Sequence, residues 1–275
     1  MLNRYFKITL RNPLRAKVNS FVGIAWLAIG VASCIFVFVY IERQFTADNY
    51  KNIEDTIYRI DIQSAFNGRT AQIPLTPAPL GPFLESRVTQ VEHITRSYAP
   101  TVLTTMGRPI LKNGEHVLRA RRFIFVDSDF LDVFVSGMIG GDPKTALEAP
   151  FSVVLTQGAA EELFGKGNPI GQGVLYNYKF RFTVTGIVES PPSNSAVDFD
   201  CLGSMKSLPE VTSKSDVMTN GHKFDCYTYV LFKKSTNFEE IEKQIQRHIS
   251  GFWDPVVRRT AGSPTIYLEP VGGLR

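Results

Sequence analysis

The sequence predicts an α+β protein: one N-terminal transmembrane helix, then a large outer domain of two split β-α-β halves around a β-rich insert. Three observations carry this reading. Val22 to Ile41 (VGIAWLAIGVASCIFVFVYI) holds no charged residue and, at about 1.5 Å per residue, reaches roughly 30 Å, the hydrocarbon thickness of a bilayer. A strand-helix-strand pattern occurs once soon after that stretch and again at the end of the chain. Between the two lie short alternating runs punctuated by glycine and asparagine, the pattern of hairpins.

Charge sets the orientation. The first 17 residues hold five of the 30 bases (Arg4, Lys7, Arg11, Arg15, Lys17) and none of the 26 acids, which leaves 25 bases against 26 acids beyond them. By the positive-inside rule the N-terminus stays in the cytoplasm and residues 46–275 lie outside. The formal +4 belongs to the membrane-proximal arm, so nothing points to a nucleic-acid partner. A secretory signal has a shorter apolar core and a small-residue cleavage site. Val31-Ala32-Ser33-Cys34 passes for a lipoprotein cleavage site, but a mature lipoprotein would then expose the apolar run Ile35 to Ile41. A retained span is the better reading.

Residues 1–17 read as an amphipathic helix on the inner membrane face. Leu2, Phe6, Leu10 and Leu14 form one stripe and Arg4, Lys7, Arg11 and Arg15 another, which suits acyl chains and anionic lipid headgroups; Pro13 kinks it. Residues 18–45 make the span. Thr56–Ser64 alternates Ile57, Arg59, Asp61 against Tyr58, Ile60, Ile62, a strand with one face buried. Asn67-Gly68 marks a turn. Pro74, Pro77, Pro79 and Pro82 introduce a short helix, Ala78 to Arg87, where prolines crowd the first turn. Val91 to Thr105 completes the first β-α-β.

In the middle, Asn113-Gly114 between Ile110-Leu111 and Val117-Leu118 is a hairpin signal. Phe123–Val126 is a strand, and Asp127-Ser128-Asp129 caps a helical turn, Phe130 to Phe134. Ser152–Thr156 is a buried strand and Gln157–Phe164 a helix ended by Gly165. Gly171–Val188 is a hairpin-like pair closed by the loop Ser190 to Ser195. Tyr227–Phe232 is a strand, and Ser235 to Glu240 offers a capping box, Thr236 with Glu239 or Asn237 with Glu240. Phe238, Ile241, Ile245, Ile249 and Phe252 share one helical face ended by Gly251, and Thr265–Glu269 is the last strand. Joining halves 56–105 and 222–275 into one sheet, with residues 106–221 inserted, is a ferredoxin-like arrangement.

No catalytic, cofactor-binding or metal site is predicted. Gly165-Lys166-Gly167-Asn168-Pro169-Ile170-Gly171 lacks the Lys-Ser/Thr pair of a phosphate-binding loop. His93, His116, His222 and His248 have no metal-ligand spacing. Asp127 and Asp129 could hold a cation, but helix capping is the simpler role. Cys201 and Cys226 could bridge in an oxidising compartment, although so sparse a pair reads more simply as two small buried side chains.

Several ordered blocks carry a resemblance. They are Phe125-Val126-Asp127-Ser128-Asp129-Phe130-Leu131-Asp132-Val133-Phe134, Gly140-Gly141-Asp142-Pro143, Ser152-Val153-Val154-Leu155-Thr156, Ala160-Glu161-Glu162-Leu163-Phe164-Gly165, Asn168-Pro169-Ile170-Gly171, Phe182-Thr183-Val184-Thr185-Gly186-Ile187-Val188 and Pro191-Pro192-Ser193-Asn194-Ser195. Together they resemble the periplasmic core domain of MacB/FtsX-type ABC transporter permeases. Phe6 to Arg15 and Ile57-Tyr58-Arg59 resemble the same family, with a flavour similar to permeases of Bacteroidota-like bacteria. The resemblance implies a split porter layer and an inserted sabre subdomain, matching the two halves and the insert. It also implies an inner-membrane permease subunit, not an enzyme and without cofactors. A separate cytoplasmic ABC ATPase would drive it, a second permease copy would pair with it, and a periplasmic adaptor could join. Its work would be mechanotransmission: nucleotide-driven helix movements rearrange the outer domains.

Family members carry at least three further spans beyond the outer domain, so the resemblance implies an N-terminal fragment, unable as it stands to couple to ATP hydrolysis. The alternative readings are the extracytoplasmic sensing domain of a membrane receptor such as a histidine kinase, and a membrane-anchored periplasmic enzyme.

Overall fold

The computed structural model describes residues 17–46, 57–66, 69–99, 108–135, 137–191, 195, 197–233, 238–261 and 264–273. The expected amphipathic helix at 1–17, the turn at 67–68 and the capping-box residues 235–237 lie outside these, apart from Lys17. The chain divides into two units, residues 1–48 and 49–275.

The first unit is one helix, α1 (Lys17–Thr46). Its apolar segment Phe21–Val39 has a mean hydropathy of 2.5 and buries none of its side chains within the protein. Nineteen such residues span about 28 Å at the α-helical rise, enough to cross a bilayer.

The second unit is built on one continuous sheet. Its strands are β1 (Ile57–Phe66), β2 (Arg69–Ile73), β3 (Thr76–Pro77), β4 (Val91–Tyr98), β5 (Ile110–Asn113), β6 (His116–Arg119), β7 (Phe123–Val126), β8 (Met138–Gly141), β9 (Ser152–Thr156), β10 (Gly173–Tyr176), β11 (Phe180–Val188), β12 (Cys201–Ser204), β13 (Phe224–Phe232) and β14 (Thr265–Pro270). The helices are α2 (Leu80–Glu85), α3 (Phe130–Phe134), α4 (Gln157–Phe164), α5 (Leu208–Thr212), α6 (Phe238–Phe252) and α7 (Pro255–Ala261). Strands run in the order β14-β1-β13-β4-β7-β12-β9-β11-β10-β5-β6, with β2, β3 and β8 paired to β1, β13 and β11.

The first four of that order are antiparallel neighbours. Numbered by chain order within the group they read 4-1-3-2, the ferredoxin-like sheet, with α2 and α6 as its two crossovers. Both helices lie on one face. There Ile60, Ile62, Leu80, Leu84, Ile94 and Val230 pack against Ile241, Ile245 and Ile249 of α6. Isoleucines at helical spacing on α6 meet β-branched residues at alternate strand positions, so each element buries the apolar face its periodicity sets. The helix passes through Gly251 and ends at Phe252, and the buried line continues into Trp253 and Val257. Gly251 is therefore not its terminator: packing of Phe252 and Trp253 holds the last turn against glycine's conformational freedom.

Other expectations need correcting in detail. The second face of β1 is not solvated, because Asp61 is 2% exposed. The β5–β6 turn pairs Asn113 with His116, so its centre is Gly114-Glu115, one residue past the Asn-Gly signal. Gly114 takes φ +56°, as a glycine-first hairpin turn requires. Strands β2, β8 and β12 and helices α5 and α7 carry little periodicity and were not anticipated. Cys201 and Cys226 are both free and buried. Burial raises both thiol pKa values, which keeps them protonated and unreactive.

Candidate functional site: the seam between the two parts of the sheet

The ferredoxin-like strands meet the rest of the sheet where β4 pairs with β7, through Ser97 with Val126 and Tyr98 with Phe125. Two residue pairs make a short seam, and a side-chain clamp reinforces it. Arg96, 8% exposed, donates from Nε and Nη2 to the two carboxylate oxygens of Asp127 at 2.7 and 2.8 Å. Its backbone N–H donates to the same carboxylate at 3.0 Å, and the Asp127 N–H returns a bond to the Arg96 carbonyl at 3.2 Å. Nη1 donates to the Ala78 carbonyl at 2.7 Å, just before α2. One guanidinium thus ties three chain segments together. Burial alone would lower the Arg96 pKa; the hydrogen bonds and charge of Asp127 outweigh it and raise the pKa, so the guanidinium stays charged.

Asp127 is therefore a clamp residue rather than a helix cap. Asp129, at the N-cap position of α3, also makes no side-chain capping bond; its Oδ2 lies 3.2 Å from His93 Nδ1 on β4. Sequence reasoning missed Arg96, because nothing around it in the sequence marks an arginine turned inward. In the structure Gly81 leaves room for it, since a Cβ there would stand 3.1 Å from Arg96 Cδ.

The face of the ferredoxin-like sheet away from α2 and α6 is polar near its centre. Arg59 clasps Asp61 through Nε and Nη2 at 2.6 and 2.9 Å, and Gln72 Nε2 donates to the same carboxylate at 2.9 Å. Arg59 stands opposite Tyr229 on β13, and the ring of Phe134 on α3 meets Tyr229 edge-on at 4.8 Å. Ile57, Val133, Leu231 and Val271 close a small apolar cluster beside it. Helix α3, which follows β7 in the chain, is thus packed on the ferredoxin-like sheet.

Beyond the seam, aromatic residues fill the insert core: Phe123, Phe125, Tyr176 and Phe182 lie within about 6 Å of one another, centroid to centroid. An open groove of about 770 Å³ runs beside β6 and α4, lined among others by Arg119, Arg121, Glu162 and Asp200. Asp200 is already engaged, accepting from the backbone N–H of Arg121 and Arg122. Among the described residues no group of three or more His, Cys, Asp or Glu could hold a metal ion.

With the seam and sheet order in place, comparison with known proteins decides the family. The MacB-like periplasmic core domain family matches residues 20–248. The chain belongs to that family.

The blocks from Phe125 onward that carried the resemblance fall inside the match. Membership sets the domain among ABC transporter permeases. Among solved structures, the chain is similar to a domain of a Porphyromonas gingivalis protein described as a permease, with 17% identity and a TM-score of 0.66 over 79% of this chain and 90% of that one. It is also similar to the periplasmic region of MacB from Actinobacillus actinomycetemcomitans, with 16% identity and a TM-score of 0.53 over 82% of this chain and 92% of that one. These likenesses are of fold. No curated protein matches the chain.

Proposed function

We propose that this chain is part of an export permease that works by mechanotransmission, driven by a separate cytoplasmic ABC ATPase. In this reading it lies in the inner membrane with the N-terminus inside and the main domain in the periplasm. The porter halves, about 56–105 and 222–275, carry motion to the insert, about 106–221, within a permease dimer. The reading assigns no catalysis to the chain itself.

The observation that carries it is the route of the chain through the sheet. In chain order β1 is the first strand after α1, and it is an interior strand paired with both β13 and β14. Tyr58, at the start of β1, pairs with Pro270, at the end of β14, so the entry and exit of the domain lie side by side. A displacement delivered there reaches two neighbouring strands at once. From β1 it passes through β13 and β4, across the Arg96–Asp127 clamp, into β7 and the insert. Hydrogen-bonded strands and a close-packed core transmit strain because they compress little.

The test uses the full-length permease with its ATPase. A crosslink between the two outer domains of the dimer is expected to abolish transport and spare basal ATP hydrolysis. Transport that survives the crosslink, or ATP turnover by residues 1–275 alone, would sink the proposal.

A further inference from the structure

Strands β11, β10, β5 and β6 form the far end of the sheet, and the two faces of this end differ sharply. Leu111, Leu118, Val174, Tyr176 and Phe182 point into the insert core. The alternate positions therefore face outward. Cross-strand register lines them up: Arg181 beside Leu175, Leu175 beside Lys112, Lys112 beside Val117, and in the next row Ile110 beside Arg119. Arg119, Arg181 and Val117 are exposed, and Lys112, Leu175 and Ile110 are half-buried. Arg181 lies flat across Gly173, where any Cβ would stand 2.6 Å from its Nε.

The two rows thus hold three cations, three aliphatic side chains and no carboxylate; Val117 and Arg119, on the edge strand, also border the groove lined by Glu162 and Asp200. Among the described residues none of the three cations makes an ion pair, unlike Arg59 and Arg96 elsewhere. No acidic residue occurs from Leu163 to Val188, the stretch that supplies β10 and β11.

The rim of this face is strained. Asn177 and Tyr178 both hold positive φ, +48° and +57°, at the β10–β11 turn, which the Lys179 N–H closes onto the Tyr176 carbonyl at 3.0 Å. Asparagine accepts that conformation, and its Oδ1 takes the Ile110 N–H at 2.8 Å. A tyrosine there is costly where glycine would be free. Its ring gains little in return, being 57% exposed. Lys179 follows it, its Nζ 4.8 Å from the Phe180 ring centroid.

We infer that the outer face of β11, β10, β5 and β6, with Tyr178 at its rim, docks an acidic surface of another protein. Arginine and tyrosine set among aliphatic side chains are the residue types that anchor protein interfaces. Complementary charge steers and orients such a partner. An anionic membrane is the weaker match: the chain beyond residue 17 carries 25 bases against 26 acids, so its summed field gives no attraction to a charged bilayer. The inference concerns this face alone and stands apart from the transport reading.

The test uses the whole chain in phosphatidylcholine nanodiscs, with short poly-L-glutamate as the acidic probe. Saturable binding that weakens with salt is expected. Arg181→Glu and Lys112→Glu should each weaken it about tenfold, while Lys214→Glu should leave it unchanged. Tyr178→Gly separates function from stability: it should raise the unfolding midpoint by a few degrees, roughly, and yet weaken binding. Arg119→Gln, on an exposed side chain, serves as a second variant should a charge reversal fail to fold. Equal binding by wild type and the charge variants overturns the inference. So does capture of phosphatidylglycerol vesicles with the same charge dependence in place of poly-L-glutamate, or a Tyr178→Gly variant that binds normally.

Discussion

At the scale of single residues, the largest effects are expected where charge is buried. Removing one partner of a buried ion pair leaves the other charge unpaired and costs about 3–5 kcal/mol, far more than the pair's net contribution. Arg96→Met is therefore expected to lower the urea midpoint strongly, and the double variant Arg96→Met/Asp127→Leu to recover part of the loss. If the single and double variants melt alike, the clamp is not the strut described above. Asp225 gives a pH signature. Burial raises its pKa, with the nearby Cys226 thiol and Lys223 opposing. A carboxyl whose pKa is raised by folding contributes stability below its unfolded pKa and loses it as pH rises through the folded value. Asp225→Asn should accordingly stabilise the domain at pH 7 and change little at pH 3. Thermal melts at the two pH values check this, and equal shifts at both would rule out the titration. Neither Arg96 nor Asp225 stood out in the sequence, because an inward charged residue and an outward one differ only in what surrounds them.

At the scale of elements, periodicity is the informative signal. Strands β7 and β9 and helices α3 and α4 were legible residue for residue, because each is bounded by turn chemistry: Gly165 ends α4 at φ +61°, and Thr156 Oγ1 accepts from the Ala159 N–H at its start. The apolar face of α6 was equally clear. Ile245 is 3% exposed and packs on the sheet, so Ile245→Ala should cost about 2–5 kcal/mol. Glu242, on the opposite exposed face, should cost under about 0.5 kcal/mol when changed to alanine. Equal losses in urea would mean that the helical phase is wrong. What periodicity missed were short elements formed by pairing alone. Strand β8, MIGG, is held by β11, where a Cβ on Gly141 would lie 2.4 Å from the Thr185 carbonyl oxygen. Close backbone approach, not side-chain pattern, makes that strand.

At the scale of the whole molecule, topology is the expectation to test first. Ser213→Cys, on an exposed residue of the outer unit, should be labelled by an impermeant maleimide in intact cells. Labelling only after lysis would reverse the orientation. Residues 47–275 should also fold without α1, since the outer unit has its own buried core; a soluble product with a cooperative melt and a near-UV signal is the expected result. The sequence by itself determined the span, its basic flank, the two β-α-β halves and the family resemblance. Each of these is written in local order: an uncharged run, a charge bias, a period of two or 3.6, a block of consecutive residues. Tertiary structure alone decided the β4–β7 junction that makes the sheet continuous, the Arg96–Asp127 clamp across that seam, the burial of Asp61 and the carboxylate-free outer rows of the insert. The physical reason is the same in all four cases. Each depends on which distant segments become neighbours, and that is settled by the packing of the whole chain rather than by any stretch of it.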